Sequence, residues 1–295
     1  MTKQVKGSLS IILATVIWGS TFVAQSVGVE KIGPLSFLTL RCLLAVMALL
    51  TVIFIRHGRK AAAILTNPRL WMAGIPCGAA LFVATALQQI GLIYTTAGKA
   101  GFITAMYLLL VPIFGLVLKK KPPKTVGISV VIATVGLYLI SGVGITGINT
   151  GDLLMLGCAA AFAVQILIVD HAAADLDCLA FNMAQSLVCA IISGVFMLFT
   201  EELSFEAIIS CWFPLVYAGV LSMGVAYTLQ IVGQKQLEPT TASLLMSFES
   251  VFAAISGWLL LNESFTLTEG IGCLLVFCAI ILSQIPTKVK KTAPV

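Results

Sequence analysis

The residue with the clearest chemical potential is Glu249, the only charged group inside the stretch PTTASLLMSFESVFAAISGWLLLN that begins at Pro239. A run of about twenty apolar and small residues is long enough to cross a bilayer as a helix. A carboxylate near its middle is costly enough that it must face the protein interior or a wet cavity. Such a group has two possible chemical roles: taking up and releasing a proton, or acting as counter-charge to an ammonium-bearing ligand. Its structural alternative is a protonated carboxyl bonded to a neighbouring helix. Arg41, in FLTLRCLLA, lies about 10 Å along its helix from the nearer end. It could bind an anion, or reach the interface with its long side chain. Aromatic and amide side chains near mid-depth complete the candidate set for substrate contact: Trp18, Gln25, Gln88, Tyr107, Gln165, Tyr227 and Gln230. Trp18, Tyr107 and Tyr227 could form part of a cage for a cation. Each of these residues could equally bond only to a neighbouring helix.

The elements that must position these groups are membrane helices. Hydrophobic residues make up 59% of the 295 positions and charged residues only 10%, with a mean hydropathy of +1.08. A soluble domain carries about 25% charge. Apolar segments fall at roughly 7–26, 34–55, 70–92, 97–118, 125–142, 151–169, 179–199, 211–232, 240–261 and 267–285, which predicts an all-α membrane protein of ten helices. The basic start followed by an apolar run imitates a signal peptide. The run is long and lacks a small-x-small cleavage site, so an uncleaved first span is expected. Pro76 and Pro112 lie inside spans and should loosen a turn. The eight cysteines sit mostly inside apolar runs without metal-ligand or disulfide spacing, so they read as packing residues.

The chain also repeats itself. At an offset of 142, GKAGFITAMYLLLVPIFGLVLKKK overlies the Glu249 stretch, pairing Tyr107 with Glu249, Gly115 with Gly257 and Lys121 with Glu263. At 144, span one overlies span six, pairing Gly7 with Gly151 and Trp18 with Phe162, and Arg41 falls on Gln185. At 142 Leu87-Gln88 overlies Leu229-Gln230, and at 143 Gly127 overlies Gly270. The expected units are 1–143 and 144–295. Five helices is an odd number, so the second unit must enter the membrane with the opposite sense. Inverted repeats put a substrate site at mid-depth on a pseudo-two-fold axis. Tyr107 and Glu249 would then sit across one cavity and could share a proton or a ligand. With the N-terminus inside, most Lys and Arg residues, including Arg56, Arg59, Lys60, Arg69, Lys119–Lys121, Lys124 and Lys235, fall in cytoplasmic segments, and acids such as Glu30, Glu201, Glu202 and Glu206 fall outside. Both termini are therefore expected to be cytoplasmic. The Lys119–Lys121 cluster reads as a topology signal with anionic lipid as its alternative partner. The Gly-rich connection from Ser141 to Asp152 reads as a flexible outer linker.

WGSTF in span one, Arg41 in FLTLRCLLA and FESVFAAISGWLLLNE in span nine, with the five-plus-five layout, resemble the EamA family of the drug/metabolite transporter superfamily. The resemblance covers essentially the whole chain. It departs at Ser250, where the family form of the span-nine motif has proline. The resemblance implies a bacterial inner-membrane exporter or exchanger of amino acids, their derivatives or other small metabolites, with a cavity lined by helices 1, 3, 4, 6, 8 and 9.

From the residues themselves, the expected activity is proton-coupled secondary transport of a small polar metabolite by alternating access. Amines, quaternary cations and drugs are the alternative substrates, and a non-transporting scaffold or a channel is the alternative class. Intramembrane enzymes are disfavoured: HExxH, GxGD and GxSxG motifs are missing, and a P-loop is missing too. No cofactor, metal or nucleic-acid partner is expected. The expected partners are a small-molecule substrate and membrane lipid. The small-xxx-small spacing of Gly74 and Gly78 suits packing inside a monomer, with a dimer interface as the alternative.

Overall fold

The computed structural model describes residues 2–117, 124–141, 149–261 and 266–283. The Lys119–Lys121 cluster, Glu263 and most of the connection between the halves lie outside these residues. The principal helices are α1 (Lys3–Val29), α2 (Pro34–His57), α3 (Pro68–Gly91), α4 (Ala97–Val117), α5 (Lys124–Ser141), α6 (Thr150–Ala172), α7 (Cys178–Thr200), α8 (Trp212–Gln234), α9 (Pro239–Leu261) and α10 (Leu267–Ser283). Among the described residues, eight helices are long and apolar enough to cross a membrane, and α5 and α10 contribute two shorter apolar ones. Large apolar side chains such as Ile55, Leu198 and Phe199 lie on the outside, and the interior is rich in Ala, Ser, Thr and Cys. That inside-out distribution suits a lipid solvent, where small residues let helix backbones approach.

Helix starts are marked in the sequence by side chains that accept the first free amides. Asn149 and Asp152 form a reciprocal capping box at α6. Asp177 accepts from Leu179 N and Ala180 N at α7, and Asn67 caps α3 just before Pro68. Gly33, before α2, has no side chain to offer. The acceptor there comes from the end of α7: Glu201 takes hydrogen bonds from Leu35 N (2.9 Å), Ser36 N (2.7 Å) and Ser36 Oγ (2.6 Å). At the other end of the same helix pair, His57 of α2 lies 3.3 Å from Asp177, the cap of α7. Gly33 and Asp177 are 144 positions apart, as are His57 and Glu201. Each helix of the pair thus terminates on the start of its repeat mate, and the two run antiparallel. Between these ends Thr39 Oγ1 donates to Ser193 (2.9 Å) and the Cys42 and Cys189 thiols are 3.6 Å apart.

The other contacts obey the same two-fold relation. α3 packs on α6 as α8 packs on α1, and α3 on α7 as α8 on α2. Two glycine crossings close the ends of the bundle. A Cβ on Gly151 would lie 2.9 Å from the carbonyl oxygen of Gly91, and a Cβ on Gly233 would lie 2.9 Å from that of Gly7. Gly7 and Gly151 are repeat mates, and so are Gly91 and Gly233. Gly74 and Gly78 face Ala184 and Val188 of α7, so their stripe is used inside the bundle.

Two departures from uniform helix bear on the site. α4 and α9, each expected as one continuous helix, are interrupted at Ala105–Met106 and at Ser247–Phe248. The turn in α4 precedes Pro112, and the turn in α9 forms although Ser250 replaces proline. In α8, residues Tyr217–Ala226 wind as a wide π-helix, a form concentrated at functional positions. Asn182 of α7 donates to the carbonyls of Met223 (2.8 Å) and Gly224 (2.9 Å) within it.

Candidate functional site

The interruptions of α4 and α9 are copies of one another. In α4 the amides of Met106, Leu108 and Leu109 bond to the carbonyls of Ile103, Ala105 and Met106; in α9 those of Phe248, Ser250 and Val251 bond to Leu245, Ser247 and Phe248. Every one of these bonds spans three residues instead of four, and each has its counterpart 142 positions away. The first residue of the second segment is Tyr107 in α4 and Glu249 in α9. Their side chains meet: Tyr107 Oη donates to Glu249 Oε1 at 2.9 Å. Both are buried, at 3% and 5% exposure. Glu249 is thus the first residue of the second helical segment of α9, as Tyr107 is of α4. Ser250 Oγ donates to Gly101 O at 3.0 Å, tying this turn of α9 to α4.

Arg41 is 2% exposed and does not reach the interface. Its Nη1 donates to Gln25 Oε1 at 2.6 Å, and its guanidinium carbon lies 5.9 Å from the centre of the Phe37 ring. The backbone carbonyl of Gln25 accepts from Gln89 Nε2 at 3.5 Å. Among the described residues no carboxylate lies within ion-pair distance of the Arg41 guanidinium.

Arg41, Gln25, Tyr107 and Glu249 line one internal cavity with Trp18, Thr21, Phe22, Gln88, Phe162, Ile166, Ser222, Met223, Tyr227, Gln230 and Met246. Four repeat-mate pairs are included: Trp18 with Phe162, Phe22 with Ile166, Gln88 with Gln230, and Tyr107 with Glu249. The cavity therefore lies on the pseudo-two-fold axis. Its walls come from α1, α3, α4, α6, α8 and α9, with Arg41 added from α2. It measures ≈ 40 Å³, room for about three waters at the ~10–15 Å³ each needs. A ligand of metabolite size would need this space to expand.

Of the nine side chains singled out from the sequence, eight line this cavity. Gln165 does not; it lies behind the wall in a buried amide chain. Gln230 Nε2 donates to Gln165 Oε1 (3.1 Å), Gln165 Nε2 to Gln185 Oε1 (3.1 Å), and Gln185 Nε2 to Asn182 Oδ1 (2.9 Å). Trp18, Tyr107 and Tyr227 all line the cavity. Trp18 and Tyr227 pack edge to face at 5.0 Å, while Tyr107 points to Glu249 and packs on Phe162 at 6.4 Å. Three lining side chains carry a buried polar atom without a hydrogen-bond partner: Trp18 Nε1, Arg41 Nε and Gln230 Oε1. Unmet polar atoms of this kind call for an explanation, and a polar ligand is one. Sequence reasoning missed Thr21, Ser222 and Met246, whose types are ordinary in a helix interior. It also missed the buried Lys99–Asp152 pair (2.7 Å), although a lysine and an aspartate at the starts of two spans were visible as charges.

The site thus offers an acid with a phenol donor, a fixed guanidinium and an aromatic wall around a small polar space. It could hold opposite charges of a ligand at two points and carry a proton on Glu249.

A sequence profile of the EamA-like transporter family matches residues 5–142 and again 149–284. An uncharacterized transporter of Archaeoglobus fulgidus is 31% identical over 95% of this chain and 86% of its own length. The uncharacterized transporter YoaV of Bacillus subtilis is 25% identical over 95% of this chain and 97% of its own length. The threonine/homoserine exporter RhtA of Salmonella typhimurium is 33% identical over a shorter stretch, 52% of each chain. A crystal structure of a protein 18% identical superposes with a TM-score of 0.77 over 95% of this chain and 97% of the other, and shares the fold. With both halves matched and its curated relatives described as transporters, the chain is a multi-pass membrane protein of the EamA-like transporter family.

Proposed function

We propose that the protein is a secondary active transporter that exports or exchanges a small polar metabolite, an amino acid or a derivative of one, by alternating access coupled to protons. In this reading all ten helices cross a bacterial inner membrane as repeat units 1–143 and 144–295, both termini are cytoplasmic, and the monomer is the working unit. The observation that carries it is the Tyr107–Glu249 hydrogen bond, made where two mirrored helix interruptions meet on the pseudo-two-fold axis. A titratable group at the axis can serve both faces of the membrane in turn as the halves rock. The Arg41 guanidinium in the same cavity suits a carboxylate, and the exporter RhtA supports an amino acid as the first substrate to try.

The test is counterflow in proteoliposomes with labelled threonine and homoserine, then a panel of other amino acids and amines. Uptake of label against unlabelled internal substrate, lost in Glu249→Gln, is the expected result. Absence of counterflow across the panel would overturn the transporter reading. A Glu249→Gln variant with unchanged rate and unchanged pH dependence would remove the coupling role. A second reading, transport of an organic cation, is favoured by the Trp18–Tyr227 edge-to-face pair beside Glu249. It predicts exchange of amines and none of amino acids.

A further inference from the structure

The two glycine crossings that close the bundle are equivalent by the repeat, but the side chains over them are not. Above the Gly91–Gly151 crossing, Lys99 Nζ of α4 bonds to Asp152 Oδ2 of α6 at 2.7 Å, with both residues buried at 8% and 3% exposure. Asp152 also accepts from Asn149 N (2.9 Å) and Thr95 Oγ1 (3.5 Å), and Asn149 Nδ2 donates to Tyr94 O (3.0 Å). The bonds from Lys99 and Thr95 to Asp152, and from Asn149 to Tyr94, join the first half of the chain to the second. Below the pair, Thr104 Oγ1 lies 3.7 Å from Met155 Sδ and 3.9 Å from Cys158 Sγ, and one turn further on is Tyr107 with Glu249. The ion pair therefore stands at the head of a column of contacts between α4 and α6 that ends at the cavity.

At the opposite end of the bundle the mates of Lys99 and Asp152 are Thr241 and Ser8. Neither can carry a charge. There the positions equivalent to Tyr94, Thr96 and Lys99, namely Gln236, Glu238 and Thr241, line a polar depression together with Lys3 and Gln4.

We propose that Lys99–Asp152 is a latch that holds its end of the transporter shut and biases the molecule towards conformations that open at the Lys3 end. This rests on the alternating-access reading above. For the Lys99 end to open, the halves must part between α4 and α6, and the pair must separate. Removing either partner breaks this tie between α4 and α6 and takes from a buried charge the counter-charge it has here. Hydration of that charge then favours the opened end. Removing either partner should therefore act in the same direction, and restoring opposite charges should reverse it.

Cys158, under the latch and buried, is a native reporter. Vesicles of each orientation carrying the full-length protein would be treated with a membrane-impermeant cationic methanethiosulfonate, and the modified cysteines identified by mass spectrometry. In the wild type, Cys158 should stay unmodified from the Lys99 side. Lys99→Ala and Asp152→Asn should each raise its modification rate tenfold or more from that side. Lys99→Arg, and the exchanged pair Lys99→Asp with Asp152→Lys, should return it towards the wild-type rate. Unchanged Cys158 reactivity in both single variants would overturn the latch. A rise matched at Cys42 and Cys189, buried in the α2–α7 seam, would overturn it too, because that pattern reports general loosening. Counterflow on the same vesicles separates the two readings: a wild type without exchange fails as a transporter, whereas the labelling pattern reports on the latch either way.

Discussion

Substituting Tyr107 or Glu249 asks different questions of one hydrogen bond. Tyr107→Phe deletes the donor and leaves a buried acceptor in a cavity that admits only a few waters. Leaving a buried acceptor without its donor costs about 1–3 kcal/mol, so counterflow should fall about 5- to 150-fold if the bond is formed in the rate-limiting conformation. Glu249→Gln keeps an acceptor for the phenol and removes only the proton-carrying chemistry. Its thermal unfolding should stay close to wild type while proton-driven transport is lost, a split that purely structural use of Glu249 would not produce. Arg41→Lys keeps a charge but loses the planar fork held by Gln25. It should raise the half-saturating substrate concentration at least tenfold with little change in thermal stability. Of these groups, the sequence exposed the types and the repeat position of Tyr107 on Glu249. It left open which way Arg41 points, because a long side chain near a helix end can turn to the interface or inward, and only packing against Phe37 and Gln25 decides it.

Helix ends and crossings carry the next level of prediction. Glu201 supplies the cap that Gly33 cannot, so Glu201→Ala leaves three donors at the start of α2 without their acceptor. Loss of a cap costs about 1–2 kcal/mol, and a thermal-shift assay in detergent should show the loss; Glu201→Gln, which keeps one acceptor oxygen, should lose less. Gly151→Ala would put a methyl 2.9 Å from the Gly91 carbonyl oxygen. Overpacking of this kind costs about 1–3 kcal/mol, so the variant should unfold at lower temperature or lose expression, and Gly127→Ala, with open space around it, should not. The helices and the duplication were legible because hydrophobic length and matched spacing are local properties of the chain. The interruptions at Ala105–Met106 and Ser247–Phe248 were not. Proline was the available signal, yet Pro112 lies after the first turn and no proline marks the second. The π-helix of α8 was hidden for a similar reason: two of its carbonyls accept from Asn182, a residue about forty positions earlier whose role no local pattern reveals.

For the molecule as a whole, the repeat makes a prediction that single substitutions cannot. Tyr107 and Glu249 occupy the same position in two backbone turns with the same hydrogen-bond pattern, so the cavity should accept the pair in either order. Glu at 107 would sit at the first residue of its own segment, the place that Glu249 holds in α9. Tyr107→Glu alone sets two carboxyls side by side, and Glu249→Tyr alone sets two phenols. Each should destabilise this conformation. The exchanged double variant restores one phenol and one carboxyl, and its thermal stability should exceed that expected from adding the two single losses by about 0.5–3 kcal/mol, the range of direct pair couplings. Counterflow should return with it, because the proton-carrying group again lies on the axis. If the double variant is no better than the sum of the singles, the two turns are alike in backbone only, and the carboxyl depends on neighbours particular to α9. Among those, Ser250 is the one to change first, since its bond to Gly101 has no equivalent from Leu108.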